Sequence, residues 1–238
     1  MGRRSYGHIS GLGGLLMPKT LTELETLVRA EVGEPTAQYW TQTHIFSYIN
    51  EAARTFSNDT GILLSPPKKC DIVAGTSLYE APTDVPGPQA IIAVFYDDSE
   101  LTPETPYSIV RGDGLPHETD TDTPSCYCVI YDSGKVYLML YPVPGAALTA
   151  GLVVWFWKLA TTMTTGDEAC TIPDEYHEAV VAYASMLAFK AKRDYDQVKI
   201  EKDTYNDWVV RARSVVTAQI MAARQSRHGD ATAKRSIF

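Results

Sequence analysis

Apolar residues recur at two different periods along the chain, and the changes of period divide it into three stretches. Leu21, Leu24, Leu27, Val28 and Val32 fall three and four apart, the spacing of one face of an α-helix. Thr20-Leu-Thr-Glu23 in front of them has the spacing of a capping box, and Gly33 behind them suits a helix end. After a loop containing Pro35, a second stripe runs through Ile45, Tyr48, Ile49, Ala52, Ala53 and Phe56. Thr41 or Thr43 is placed to cap this helix and Gly61 to end it.

From Ser65-Pro66-Pro67 onward the period becomes two, and turn residues interrupt it every several positions, which predicts short antiparallel strands. They are expected over 69–74, 77–81, 90–96, 107–110, 126–131, 135–141 and 148–158. The strongest pair, 126–131 and 135–140, is joined by Asp132-Ser133-Gly134, read as a three-residue turn that admits a bulge. Residues 111–124, rich in Gly, Pro, Asp and Thr, read as an exposed loop.

Helical spacing returns at Ile172-Pro173-Asp174-Glu175, with Pro173 suited to the first helical position and the two acids to the positive end of the helix dipole. Tyr176, Ala179, Val180, Tyr183, Met186 and Leu187 give an alanine-rich helix that is apolar over much of its circumference and so expects neighbours on several sides. Asp194 or Asp196 can cap the last helix, whose stripe is Val198, Tyr205, Trp208, Val209, Ala212, Val215, Val216, Ile220 and Met221. Its expected span of 194–224 is about 45 Å at about 1.5 Å per residue, more than a compact bundle needs, so part of it is expected to meet a partner.

The fold class expected is α+β: a bundle of N- and C-terminal helices with an inserted antiparallel β-sheet or sandwich. Residues 20–61 and 172–223 form the helical domain and 62–171 the insertion. Residues 1–19 are a flexible arm, and 224–238 a basic tail disordered in isolation.

With 238 residues, 45% of them hydrophobic, the chain can bury a real core. No run of about 18 apolar residues occurs, so no transmembrane helix is expected. Arg3 and Arg4 precede only a glycine-interrupted segment without a cleavage site, which argues against a signal peptide. No internal repeat is found.

The net charge of −8 conceals a segregation. Residues 62–171 carry five basic against fourteen acidic residues, whereas 187–238 carry eleven basic against six acidic. The two parts differ in sign.

Candidate chemistry is thin. Cys70, Cys126, Cys128 and Cys170 lack the further ligands a zinc site needs and read as buried thiols in a reducing compartment. None of His8, His44, His117, His177 and His228 stands in a nucleophile or His-x-x-x-His motif, and His177 reads as solvent-facing in the first turn of its helix. Gly11-Leu-Gly13-Gly14 lacks the Lys-Ser/Thr of a phosphate-binding loop, and Asp97-Asp98 and Asp167-Glu168 flank turns as solvated acids. Asp113, Glu118, Asp120 and Asp122 lack the register of a calcium loop, and Arg111-Gly-Asp113 is short enough to arise by chance. Trp155 and Trp157 alternate with Val154 and Phe156, as in a packed strand rather than an exposed stacking platform. No catalytic, cofactor or metal residue is assigned.

The order of several short motifs carries a resemblance. A helix containing Trp40, Ile45, Ile49-Asn50 and Ala52 is followed by Leu78-Tyr79-Glu-Ala-Pro82-Thr-Asp84, then Tyr137-Leu-Met-Leu-Tyr141-Pro-Val-Pro144 and Trp155-Phe-Trp157, and finally Ile172-Pro173-Asp174-Glu175-Tyr176. In this order, over about residues 21–210, the chain resembles the adaptor or head-to-tail connector (neck) proteins of tailed phages, including the tail tubular gatekeeper type. The resemblance implies a non-enzymatic virion protein of the neck, assembled in the host cytoplasm as a ring of about twelve copies. It implies as partners the portal protein, a tail nozzle or next connector, and double-stranded DNA passing through without sequence-specific binding, with no membrane and no cofactor. It also implies that the C-terminal segment reaches the portal. Arg224, Arg227, Lys234, Arg235, Ile237 and Phe238 are the residues expected to bind it, a basic and apolar end suited to an acidic groove. The alternative function is a cell-wall-binding or peptidoglycan-degrading tail component, which needs a catalytic acid with a polar partner in a cleft.

Overall fold

A computed structural model describes residues 18–107 and 121–235. Helix α1 spans Leu21–Glu31 and opens on the expected capping box: Thr20 Oγ1 accepts the Glu23 N–H at 3.3 Å, and the Glu23 carboxylate accepts the Thr20 N–H at 2.7 Å. Helix α2, Gln42–Thr60, is capped by Thr41, whose side chain accepts the His44 N–H. It ends at Gly61, which takes φ 65° and lies where a Cβ would meet the Trp157 ring at 3.3 Å. Left-handed backbone and close approach both call for glycine there.

A 3-10 turn over Asp174–Tyr176 leads into α3, His177–Lys192. Pro173 therefore precedes the turn instead of occupying the first position of the α-helix. Arg193 closes α3 in the left-handed region at φ 62°, and the Asp194 carboxylate accepts the Gln197 N–H at the start of α4, Tyr195–Arg235. At 41 residues α4 outruns the expected end near 224, because no proline interrupts it and most of 218–235 is Ala, Gln, Arg and Lys, all good helix formers.

The helices share one apolar core. Leu21, Leu24 and Val28 of α1, Ile45, Ile49 and Phe56 of α2, Ala179, Val180 and Ala184 of α3, and Tyr205, Val209 and Ala212 of α4 meet in it. Full burial of such a Leu, Ile or Phe contributes about 1.5–3 kcal/mol.

Between α2 and α3 the chain builds two four-stranded sheets. One has the order β1 (Lys68–Ile72), β10 (Leu148–Phe156), β3 (Ile91–Tyr96) and β4 (Ser99–Glu100). The other runs β2 (Leu78–Glu80), β8 (Lys135–Tyr141), β7 (Cys126–Asp132) and β5 (Thr102–Pro103). A second core lies between them, with Val94, Leu152, Val154 and Phe156 from the first sheet against Tyr127, Leu138 and Leu140 from the second. Two short strands, β6 (Thr121–Asp122) and β9 (Val143–Pro144), pair in parallel, so the end of the expected 111–124 loop is ordered. The molecule is an α+β fold.

Three local expectations are corrected. The β7–β8 turn has two residues, Ser133 and Gly134, both at positive φ, with Asp132 opposite Lys135 and no bulge; two left-handed residues match the twist of the flanking strands. Tyr107 stands in a helical turn with Pro106, and residues 108–110 of the strand expected there lie outside the described residues. His177 is buried, 1% exposed, because the 3-10 turn rotates it inward. Trp155 and Trp157 are half-buried opposite the inward Val154 and Phe156, in accord with a packed strand.

Candidate partner-binding surface

Helix α4 lies along α2 and α3 through a stripe of buried positions, Glu201, Tyr205, Val209, Ala212 and Val216. Polar contacts hold it in register. Tyr205, stacked on Tyr183 with ring centroids 4.8 Å apart, donates its hydroxyl to Asp59 Oδ2 at 2.7 Å, and Arg213 Nε donates to the Asp59 carbonyl at 2.6 Å. Burial and the Asp59 carboxylate raise the Tyr205 phenol far above its ordinary range. Trp208 sits edge-on to Tyr176 and beneath the Arg211 guanidinium, 5.0 Å from the ring centre.

The packing runs out near Val216. Ile220 is half-buried, and Met221 and Ala222 are exposed. The helix continues to Arg235, about 20 Å further at about 1.5 Å per residue. Its charge changes along its length: residues 195–210 hold four acids and two bases, whereas 211–235 hold six bases and one acid. Arg224, Arg227, Lys234 and Arg235 all lie on this distal helical backbone, while Ile237 and Phe238 lie outside the described residues. The acids of the β insertion, including Asp84, Asp97, Asp98, Asp122 and Asp132, are exposed.

No group of three or more His, Cys, Asp or Glu side chains is placed to hold a metal among the described residues. Cys128 and Cys170 are buried thiols, raised above their ordinary range by burial. Asp113, Glu118 and Asp120, Arg111 and the Gly11-Gly14 segment lie outside the described residues. His177 serves as a joint. Its Nε2 lies 2.9 Å from the Ile172 carbonyl, its Nδ1 3.0 Å from Asp174 Oδ1, and Lys19 Nζ 2.7 Å from the same oxygen, which ties the entry of α3 to the entry of α1. Burial pulls the imidazole below its ordinary range, and the Lys19 ammonium holds Asp174 below the usual carboxylate range. Asp167 and Glu168 stand in a turn, as expected, and Glu168 also accepts the Thr164 N–H at 2.7 Å while its carbonyl accepts the Leu21 N–H.

A family model described as SU10 adaptor protein matches residues 19–232, from the entry of α1 almost to the end of α4. The chain belongs to the SU10 adaptor protein family. It is a structural adaptor of a phage particle, and its family points to a non-enzymatic role. No protein of curated function matches it. In this SU10-family adaptor, no helix among the described residues is long and apolar enough to cross a membrane.

One residue of the adaptor escaped the sequence reading. Glu201 interrupts the apolar stripe between Val198 and Tyr205 and is buried, and burial together with the Glu31 carboxylate pushes it up to about 7. An acid at a stripe position was its only sequence signal.

Proposed function

We propose that this adaptor forms a closed ring that joins the portal to the tail and lines the DNA passage. In this reading the helical layer, 20–61 with 172–223, and the insertion, 62–171, act as separate domains. The distal half of α4 and the tail, through Arg224, Arg227, Lys234, Arg235, Ile237 and Phe238, engage an acidic, apolar groove of the portal. A tail nozzle or further connector attaches at the opposite side. Assembly takes place in the host cytoplasm.

The observation that carries this reading is the length of α4 beyond its own core, combined with its change of charge. A helix has no intramolecular reason to extend about five turns past its packing, and in isolation such an extension gains little stability. Docking into an oppositely charged groove supplies what the bundle does not. The exposed acids of the insertion suit a channel wall, since like charge repels phosphate and lets a duplex slide without binding.

Deleting residues 224–238 tests the proposal. The truncated chain is expected to keep its circular dichroism spectrum and Tm while losing co-sedimentation with portal rings; undiminished co-sedimentation refutes the assignment of the tail.

A further inference from the structure

The stripe by which α4 packs on the bundle is broken by Glu201, which is 7% exposed. No hydrogen bond or ion pair engages its carboxylate among the described residues, and the charged group that bears on it is a second carboxylate, Glu31, in the last turn of α1. Its sequence neighbours Lys199 and Lys202 are exposed on other faces of α4, since successive positions turn by about 100°. On the elements packed against α4, Tyr183 of α3 and Asp59 of α2 are taken up by Tyr205, one turn further along. Leu27, one turn before Glu31, is 41% exposed, and Ile200, beside Glu201, is 55% exposed. The junction of α1 and α4 is therefore an acidic notch with apolar side chains at its edge.

A carboxylate buried without a cation is unfavourable in the isolated chain, whereas a neutral residue at the same stripe position is not. The arrangement becomes favourable when a cation enters from outside. We infer that the Glu31–Glu201 notch is an inter-subunit contact that receives a lysine or arginine side chain from a second copy of this chain. Charge complementarity selects that occupant: residues 187–238 carry eleven bases against six acids, so the copy that offers the notch also carries surplus bases elsewhere on the same helical layer. A ring needs such a pairing, because its repeated contact joins two different faces of one chain. The inference rests on the ring reading above. It adds that assembly strengthens as pH rises through about 7, where Glu201 ionises.

The test follows self-association of the full chain by mass photometry at about pH 6 and about pH 8, for the wild type, Glu201→Gln and Glu31→Gln. The wild type is expected to assemble more tightly at the higher pH, and Glu201→Gln to weaken assembly roughly tenfold or more there and to remove the pH dependence. Glu201→Gln is also expected to raise the Tm of the dilute monomer, an opposition of sign that a purely structural residue does not produce. A Glu201→Gln chain that assembles as the wild type does overturns the notch and leaves the ring reading standing. Weakened assembly with a lowered Tm also overturns it, and so does loss of portal binding with self-association intact. A wild type that is monomeric at every concentration, alone and with portal, overturns both. Should Glu201→Gln fail to fold, Glu31→Gln and the wild-type pH series decide the same question.

Discussion

Buried ionisable groups at two joints set opposite pH dependences on this adaptor. His177, held below its ordinary 6.5 mainly by burial, contributes stability that is present above that pH and lost as pH falls through its lowered value. Glu201, raised from 4.5 to about 7, contributes stability that is present below 4.5 and lost as pH rises through about 7. Replacing Glu201 by Gln is therefore expected to shift the pH of maximum Tm upward, and replacing His177 by Gln to flatten the acid limb; thermal melts across the range check both. Tyr205 offers a cleaner test. Its hydroxyl reaches a carboxylate from within the core, so Tyr205→Phe is expected to cost about 1.5–3 kcal/mol in denaturant unfolding, the usual range for a hydrogen bond to a charged group.

At the scale of elements, the ends of the helices carry measurable terms. Thr20 and Glu23 satisfy two backbone donors of the α1 entry reciprocally, and the same turn is clamped by the Leu21 N–H to the Glu168 carbonyl at 2.9 Å. Thr20→Ala is expected to destabilise the protein by about 1 kcal/mol. The α3–α4 corner is the reverse case. Arg193 occupies a left-handed conformation that disfavours every residue with a Cβ, so Arg193→Gly is expected to stabilise by about 0.5–1 kcal/mol, read as a rise in Tm. That corner sets the direction in which α4 leaves the bundle.

At the scale of the whole molecule, the sign of the charge separates the parts: exposed acids on the insertion, bases on the distal half of α4. Attachment through the latter is expected to weaken as ionic strength is raised from about 0.1 M to about 0.5 M, measured by co-sedimentation with portal, because screening shortens the reach of exposed charges to a few ångströms. Folding of the monomer, which rests on two apolar cores, is expected to change little over the same range.

The sequence by itself determined the order of helices and strands, the caps at Thr20, Thr41 and Gly61, and the tight turn near Gly134. Each of these depends on interactions within about four residues, and the residue types there leave few alternatives. It also carried the apolar stripe of α4 and the motifs shared with the SU10 adaptors. Tertiary structure decided which strands neighbour one another, since β1 and β10, at opposite ends of the insertion, pair edge to edge. It decided that His177 turns inward, for the 3-10 turn before it shifts the helix phase by a fraction of a residue's rotation. It decided, too, that Glu201 meets Glu31: residues 170 positions apart in the chain become neighbours only once α1 and α4 pack on the same core, and no local pattern encodes that meeting.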